Sequence, residues 1–306
     1  MIKAHRIGDA PIIHAGLCDS LGDNINGPSL ITRPDWAPGP GQYMLYFAHH
    51  MGRHIRLATS DDLTGPWQIH RPGVLPLAET PFAQTRPPGP QPEWAAKLGI
   101  DGLYPHLASP DVHVDHIAQR FEMWVHGLVE HGDQISFRAV SQDGLNWRVN
   151  PTRLAADYMR VFRYKGGTYA MARAGLLMRL LPDDQIEFGP TLIARPIRHV
   201  AVTVRGDRLH VIYSCIGDAP ERLFHTALDL ARDWPDWRQC LPQTELLRPQ
   251  LAWEGADEPV GPSEIGAVGF ANQLRDPAIF HDGQQDWLVY SGGGEAALGL
   301  ARLSGL

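Results

Sequence analysis

Residues 43–67 read YMLYFAHHMGRHIRLATSDDLTGPW: two short apolar runs around a polar turn, closed by an aspartate-bearing turn and a tryptophan. Runs this short, partly β-branched or aromatic and bounded by Gly, Asp and Pro, suit strands rather than helices. The pattern recurs along the chain. Earlier members of each pair are Gln42–His50, Phe121–Leu128, Thr168–Gly175, Arg208–Gly217 and Asp286–Gly294. Later members are His54–Asp62, Ile135–Asp143, Leu176–Asp184, Arg222–Leu230 and Leu298–Gly305. Before each pair stands another apolar segment: Pro28–Thr32, Pro110–Val114, Arg160–Tyr164, Val200–Val204 and Pro277–His281. Two units close alike, with Ser60-Asp61-Asp62…Trp67 and Ser141-Gln142-Asp143…Trp147, where the Asp bonds turn amides and the Trp packs between sheets. Looser versions are Asp183…Phe188 and Asp229…Trp234.

Three to four antiparallel strands repeated five times describe an all-β, five-bladed β-propeller. The expected blades are about 26–70, 107–150, 158–190, 197–240 and 273–306, forming one domain over 1–306. The last leaves no room for an outer strand, so residues 1–7 are expected to supply it and close the ring. Two Pro-rich spans, about 71–107 and 241–273, fit no blade; loops of that length are usually functional or lid-like.

The totals bound the function. Of 306 residues, 43% are hydrophobic and 20% charged, and the formal net charge of -7 argues against a nucleic-acid partner. Cys18, Cys215 and Cys240 are far apart and odd in number, so neither a disulfide framework nor a zinc site is indicated. The N-terminus lacks an apolar signal core and no stretch reaches the length of a membrane span. A cytoplasmic protein with no membrane partner is the expectation; oligomeric state is not legible.

Antiparallel geometry locates a site. The starts of first strands and the ends of second strands meet at one mouth of the central pore. Asp23, Asn26, His49, His50, Asp111, His126, Arg160, His199, Arg275 and Asp276 fall there. Convergent carboxylates raise one another's pKa and suit acid–base chemistry, with Asp111 and Asp276 as leading candidates. His49 and His50 point to opposite faces of a regular strand, so one of them is expected to reach the site. An Arg160 at an inner-strand start is hard to place without an anion. The run DVHVDH (111–116) does not specify a metal, and Trp36, Trp94 and Trp253 serve either sugar stacking or packing.

Three stretches resemble the five-bladed propeller glycosidases of glycoside hydrolase family 43 and its arabinanase, fructosidase (levansucrase and invertase type) and anhydro-galactosidase relatives. They are residues 43–67, LASPDVHVD (107–115) with FEMWVHG (121–127), and RDPAIFHDGQQDWLVYSG (275–292). The resemblance implies a glycoside hydrolase acting on a small saccharide or glycoside, with an acid, a base and a tuning carboxylate around the pore. It places the tuning role on Asp111. The base position falls at Asn26-Gly27-Pro28, leaving Asp23 as the nearest substitute. The acid position reads Tyr158-Met159-Arg160, so Glu264 from a loop or a histidine such as His199 would have to protonate the leaving group. No cofactor is expected, a divalent ion such as calcium in the central channel being the one option. The alternatives are a lyase or other acid–base enzyme on an acidic sugar held by Arg160, Arg173 and Arg275, and a non-catalytic carbohydrate-binding propeller.

Overall fold

The computed structural model describes residues 2–266 and 269–306; of Trp94 and His131 the backbone alone is described. Five antiparallel sheets stand around a central axis. Their inner strands are Asn26–Thr32, Leu107–Asp115, Arg160–Tyr164, Ile197–Arg205 and Leu274–His281, and each pairs outward through successive hairpins. Neighbouring inner strands pack side by side, and blades 2 and 3 are tied where Val161 N donates to Asp111 Oδ2 at 2.7 Å. The fold is a five-bladed β-propeller with, among the described residues, one short α-helix, Glu93–Leu98.

Closure comes from the N-terminal segment. Lys3–Arg6 pairs antiparallel with Ala297–Ser304 as the outer strand of blade 5, in the register Lys3↔Ser304 to Arg6↔Ala301. Arg6 is anchored there by a buried carboxylate. Its Nε donates to Glu254 Oε1 at 2.7 Å and its Nη2 to Oε2 at 2.8 Å, while Tyr290 OH donates to Oε1 at 2.8 Å.

The core is distributed between blades rather than gathered at the axis. Five hydrophobic clusters among the described residues each join two neighbouring sheets. Trp147 shows how the repeat builds one: its ring meets Tyr46 of blade 1 edge-on at 5.9 Å, and Gly144 O accepts from both Trp147 Nε1 and the Tyr46 hydroxyl. The looser closures depart from expectation. Phe188 is 58% exposed, and in blade 4 the tryptophan buried against Phe162 and Tyr169 is Trp237, with Trp234 beside it.

The two spans outside the repeat also find places. The outer strand of blade 1 runs on to Pro76, Gln68–Pro76, and the helix and its flanks lead to the start of blade 2. In the second span, Thr244–Leu247 pairs with the third strand of blade 4. Both spans end over the mouth where the inner strands begin.

Candidate active site

Three inner strands begin with the same irregularity. Gly27, Ser109 and Asp276 each precede a proline and adopt φ of 57°, 48° and 46°, and each sits at a register shift against the second strand. Left-handed backbone in Ser and Asp is strained and persists where the surroundings over-determine it. Gly27 has no room for anything larger: an added Cβ would stand 2.8 Å from Ser109 Cα. Within the base position implied by the resemblance, the Gly27 step therefore takes no side chain, since the blade 2 backbone occupies the space.

The kinks also correct the expected meeting of Asp111 with Asp276. Asp276 occupies the same step as Gly27 and Ser109, whereas Asp111 lies two residues further along its strand. Asp276 is 2% exposed. Its Oδ1 lies 2.6 Å from His199 Nδ1, and its Oδ2 accepts from Ser291 Oγ at 3.2 Å. Asp111 faces the other end of the channel, in a cavity of about 600 Å³ shared with His113, His116 and Asp282. There it is bonded to His113 Nε2 at 2.9 Å. Burial opposes its ionisation, but His113, Arg160 and the Val161 amide together hold its carboxyl below the usual range.

Arg160 separates the two ends, which corrects its assignment as an anion-binding residue. Its guanidinium spans the axis, donating to the carbonyls of Pro110 (2.6 Å), Pro28 (3.3 Å) and Val200 (3.3 Å), with Asp111 Oδ1 at 3.6 Å. Three other blades contribute to its coordination. It is a plug, and it needs no external anion.

Above the plug, Glu295 is the hub. It is 3% exposed and follows the glycine turn Gly292-Gly293-Gly294 of blade 5. Oε2 accepts from Asn24 Nδ2 (2.9 Å) and Asn26 Nδ2 (2.8 Å), and lies 3.5 Å from His50 Nδ1. Oε1 accepts from Arg275 Nη1 at 2.9 Å. Burial disfavours the charge, yet His50, Arg275 and Asn24 outweigh it and keep the carboxyl well below the carboxylate range. Arg275, fully buried, is a brace: besides Glu295 it meets Glu221 at 3.2 Å and Gly266 O at 2.9 Å. Glu221 in turn holds Arg198 through both oxygens.

Tyr158 fills the gap left where the resemblance expects an acid. Its φ is 56°, and its ring lies 4.0 Å from the ring of His126 and 4.3 Å from that of His199. Burial and the nearby Asp276 and Glu295 charges push the phenol well up, so it stays protonated. His126, 1% exposed, sits behind it with neither ring nitrogen bonded; burial and the neighbouring His106 and His199 keep it neutral, well below the ordinary imidazole value. One residue earlier, the Asp157 carboxyl is pushed up by burial despite Arg173 at 3.5 Å.

The remaining expectations divide. His50 reaches the mouth and His49 lines only the space beside it, where Asp23 also lies exposed. The pair sits in the turn past Tyr43–Ala48, so strand alternation does not decide its direction. Glu264 does not move in: its side chain is exposed, and its backbone carbonyl accepts from Arg198 at 2.5 Å. Trp36 packs on Phe121 and Trp253 on Tyr290, both partly buried against the core; the Trp94 side chain lies outside the described residues. Sequence reasoning missed Glu295, Tyr158, Asp157, Tyr104 and Arg198. For Glu295 the signal was available, one residue beyond the run Asp286–Gly294.

The cavity enclosed by His50, Tyr104, Tyr158, Arg173, His199 and Glu295 holds about 60 Å³. It joins, across His50, Tyr104 and Glu295, a second cavity of about 520 Å³ between the two long spans. Among the described residues, no group of three or more His, Cys, Asp or Glu is arranged to hold a metal ion. In the channel Asp111 already meets His113, Arg160 and an amide, a poor donor set for a divalent cation.

Fold and mouth together define a five-bladed propeller of the kind built by family 43 glycosidases, carrying a histidine–carboxylate cluster at one end of its pore. Similar solved structures include a family 43 enzyme from Xanthomonas citri complexed with xylotriose (TM-score 0.61, 12% identity, 96% of this chain and 89% of that one). Another is a β-xylosidase/α-arabinofuranosidase from a compost metagenome (TM-score 0.59, 11% identity, 98% and 94% covered). A third is an exo-1,5-α-L-arabinanase from a bovine ruminal library (TM-score 0.52, 13% identity, 91% and 92% covered). No sequence-family profile matches. The chain belongs to the family of "Uncharacterized protein R118" of Acanthamoeba polyphaga mimivirus, with which it shares 31% identity over 309 residues, 92% of this chain and 83% of that protein.

Proposed function

We propose that the protein is a glycoside hydrolase acting on a small saccharide or glycoside at the mouth of the propeller. The observation carrying this reading is the pairing of His199 with Asp276, 2.6 Å apart, on the wall of a cavity whose other wall is Glu295. With Nδ1 turned to Asp276, Nε2 is the nitrogen left to exchange a proton with a glycosidic oxygen or a water. Glu295, held ionised by Arg275, Asn24, Asn26 and His50, supplies the negative charge that an oxocarbenium-like transition state requires. Tyr158 and Arg173 complete a wall suited to hydroxyl groups. In this scheme Asp276 is a positioning residue, and Asp111, beneath the plug, has a structural role.

The acidic-sugar alternative loses support. Arg160 and Arg275 are saturated by the protein's own carbonyls and carboxylates, and Arg173 alone is left for a substrate carboxylate. A panel of pentosides and hexosides, as aryl glycosides and as oligosaccharides, tests the reading. Release of a reducing sugar by wild type is expected, together with loss in His199→Gln. Lysis to an unsaturated product, detected by absorbance, would contradict it.

A further inference from the structure

The larger cavity beside the mouth has a polarity gradient. Its inner wall is shared with the polar pocket through His50, Tyr104 and Glu295, while its outer part, beside the exposed Asp23 and Asp101, carries Met51, Ile100 and Phe270. These three are 56%, 40% and 52% exposed. Only eight large hydrophobic residues are exposed among the described residues, and these three plus Ile265 stand around the mouth. Single exposed apolar groups need no explanation, but several gathered on one concavity mark a binding surface. The volume, about 520 Å³, lies in the range of small-ligand sites. The polar pocket, at about 60 Å³, cannot take a bulky group itself.

Resting on the glycosidase reading, we infer that this cavity receives an apolar aglycone, so that the substrate is a glycoside of an alkyl or aryl alcohol rather than an internal bond of a polysaccharide. A sugar held at Glu295 and His199 would direct its anomeric substituent across His50 and Tyr104 onto Met51, Ile100 and Phe270. A further sugar placed there would meet Asp23, His49 and Asp101 on one side but set its other hydroxyls against the three apolar side chains. An alkyl or aryl tail gains instead from leaving water.

The test compares methyl and hexyl glycosides of the same sugars, whose leaving groups are chemically alike, by kcat/KM and by calorimetric affinity. Wild type is expected to favour hexyl over methyl by about tenfold or more. The double variant Ile100→Ser, Phe270→Ser, on exposed positions, should bring that ratio below about threefold with an unchanged circular dichroism spectrum. Turnover of both series with equal kcat/KM, or a preference that survives the double variant, overturns the aglycone assignment and leaves the hydrolase reading standing. Tighter binding of hexyl glycosides, abolished in the variant but without turnover of any glycoside, keeps the cavity's assignment and removes the hydrolase reading. Absence of both binding and turnover overturns both.

Discussion

Nδ1 of His199 and Oδ1 of Asp276 are 2.6 Å apart, and both side chains are more than nine-tenths buried although the imidazole lines the mouth cavity. The two come from adjacent inner strands, and Asp276 reaches its partner through a left-handed residue ahead of Pro277. The kink ahead of Pro277 is what brings this carboxylate within contact distance of the ring.

Asp276→Asn should therefore act on turnover more than on binding. In the proposed scheme the amide removes the negative charge beside the imidazole, and kcat is expected to fall about 10²–10³-fold with KM changed less than about threefold. Steady-state kinetics checks this, with Ser291→Ala expected to keep kcat within about threefold of wild type. Equal losses in kcat/KM through KM alone would assign Asp276 to substrate binding.

Gly27 marks where the usual carboxylate cannot stand. Gly27→Ala forces a Cβ against Ser109 Cα in a backbone conformation that alanine disfavours, and should cost about 2 kcal/mol or more in urea unfolding. Gly27→Asp should lose stability at least as much and gain no activity. An active, stable Gly27→Asp protein would show that the mouth is wider than the structure allows.

The plug gives a stability signature unlike that of a ligand-binding arginine. Arg160→Met strands three carbonyls and leaves Asp111 without its nearest arginine, for an expected loss of about 3 kcal/mol with any ligand absent. Arg160→Lys should recover part of it. If Arg160→Met unfolds at the wild-type urea concentration yet binds saccharides poorly, the residue serves substrate after all.

Neutral buried imidazoles make the fold sensitive to mild acid. Burial draws His106 and His225 down to about 4, from the ordinary imidazole value of 6.5. Between pH 6.5 and 4 the unfolded chain binds protons that the native chain does not, so stability falls as pH is lowered through that window and levels off below it. Each such group contributes up to about 3 kcal/mol of that fall. Urea midpoints measured at several pH values should show a shallower decline in His106→Gln than in wild type; parallel curves would contradict the assignment.

The fold was legible because the strand pairs repeat five times: Gly, Asp and Pro punctuate runs of one strand's length, and in two blades Trp67 and Trp147 fall at matching steps. The site was legible as a place and less so as a set of residues. Strand starts and ends named His50, His199, Arg275 and Asp276 as neighbours, which depends on topology alone. Asp111 escaped that logic since the kink at Ser109-Pro110 moves the following residues down the channel. Arg160 misled because its partners are backbone carbonyls from three other blades, invisible to any side-chain pattern. Tyr104 comes from a span with no repeat to align it, and Glu295 hides in a glycine turn that reads as a mere connection.

The proposal that the mouth carries out chemistry is tested most directly by turnover of a glycoside panel by wild type, Glu295→Gln and His199→Gln, with affinities of the same compounds measured by calorimetry. Reducing sugar released by wild type, a fall in kcat of about 100-fold or more in each variant, and affinities within about threefold of wild type are predicted. Turnover undiminished in both variants, or binding without turnover by wild type across the panel, would contradict it.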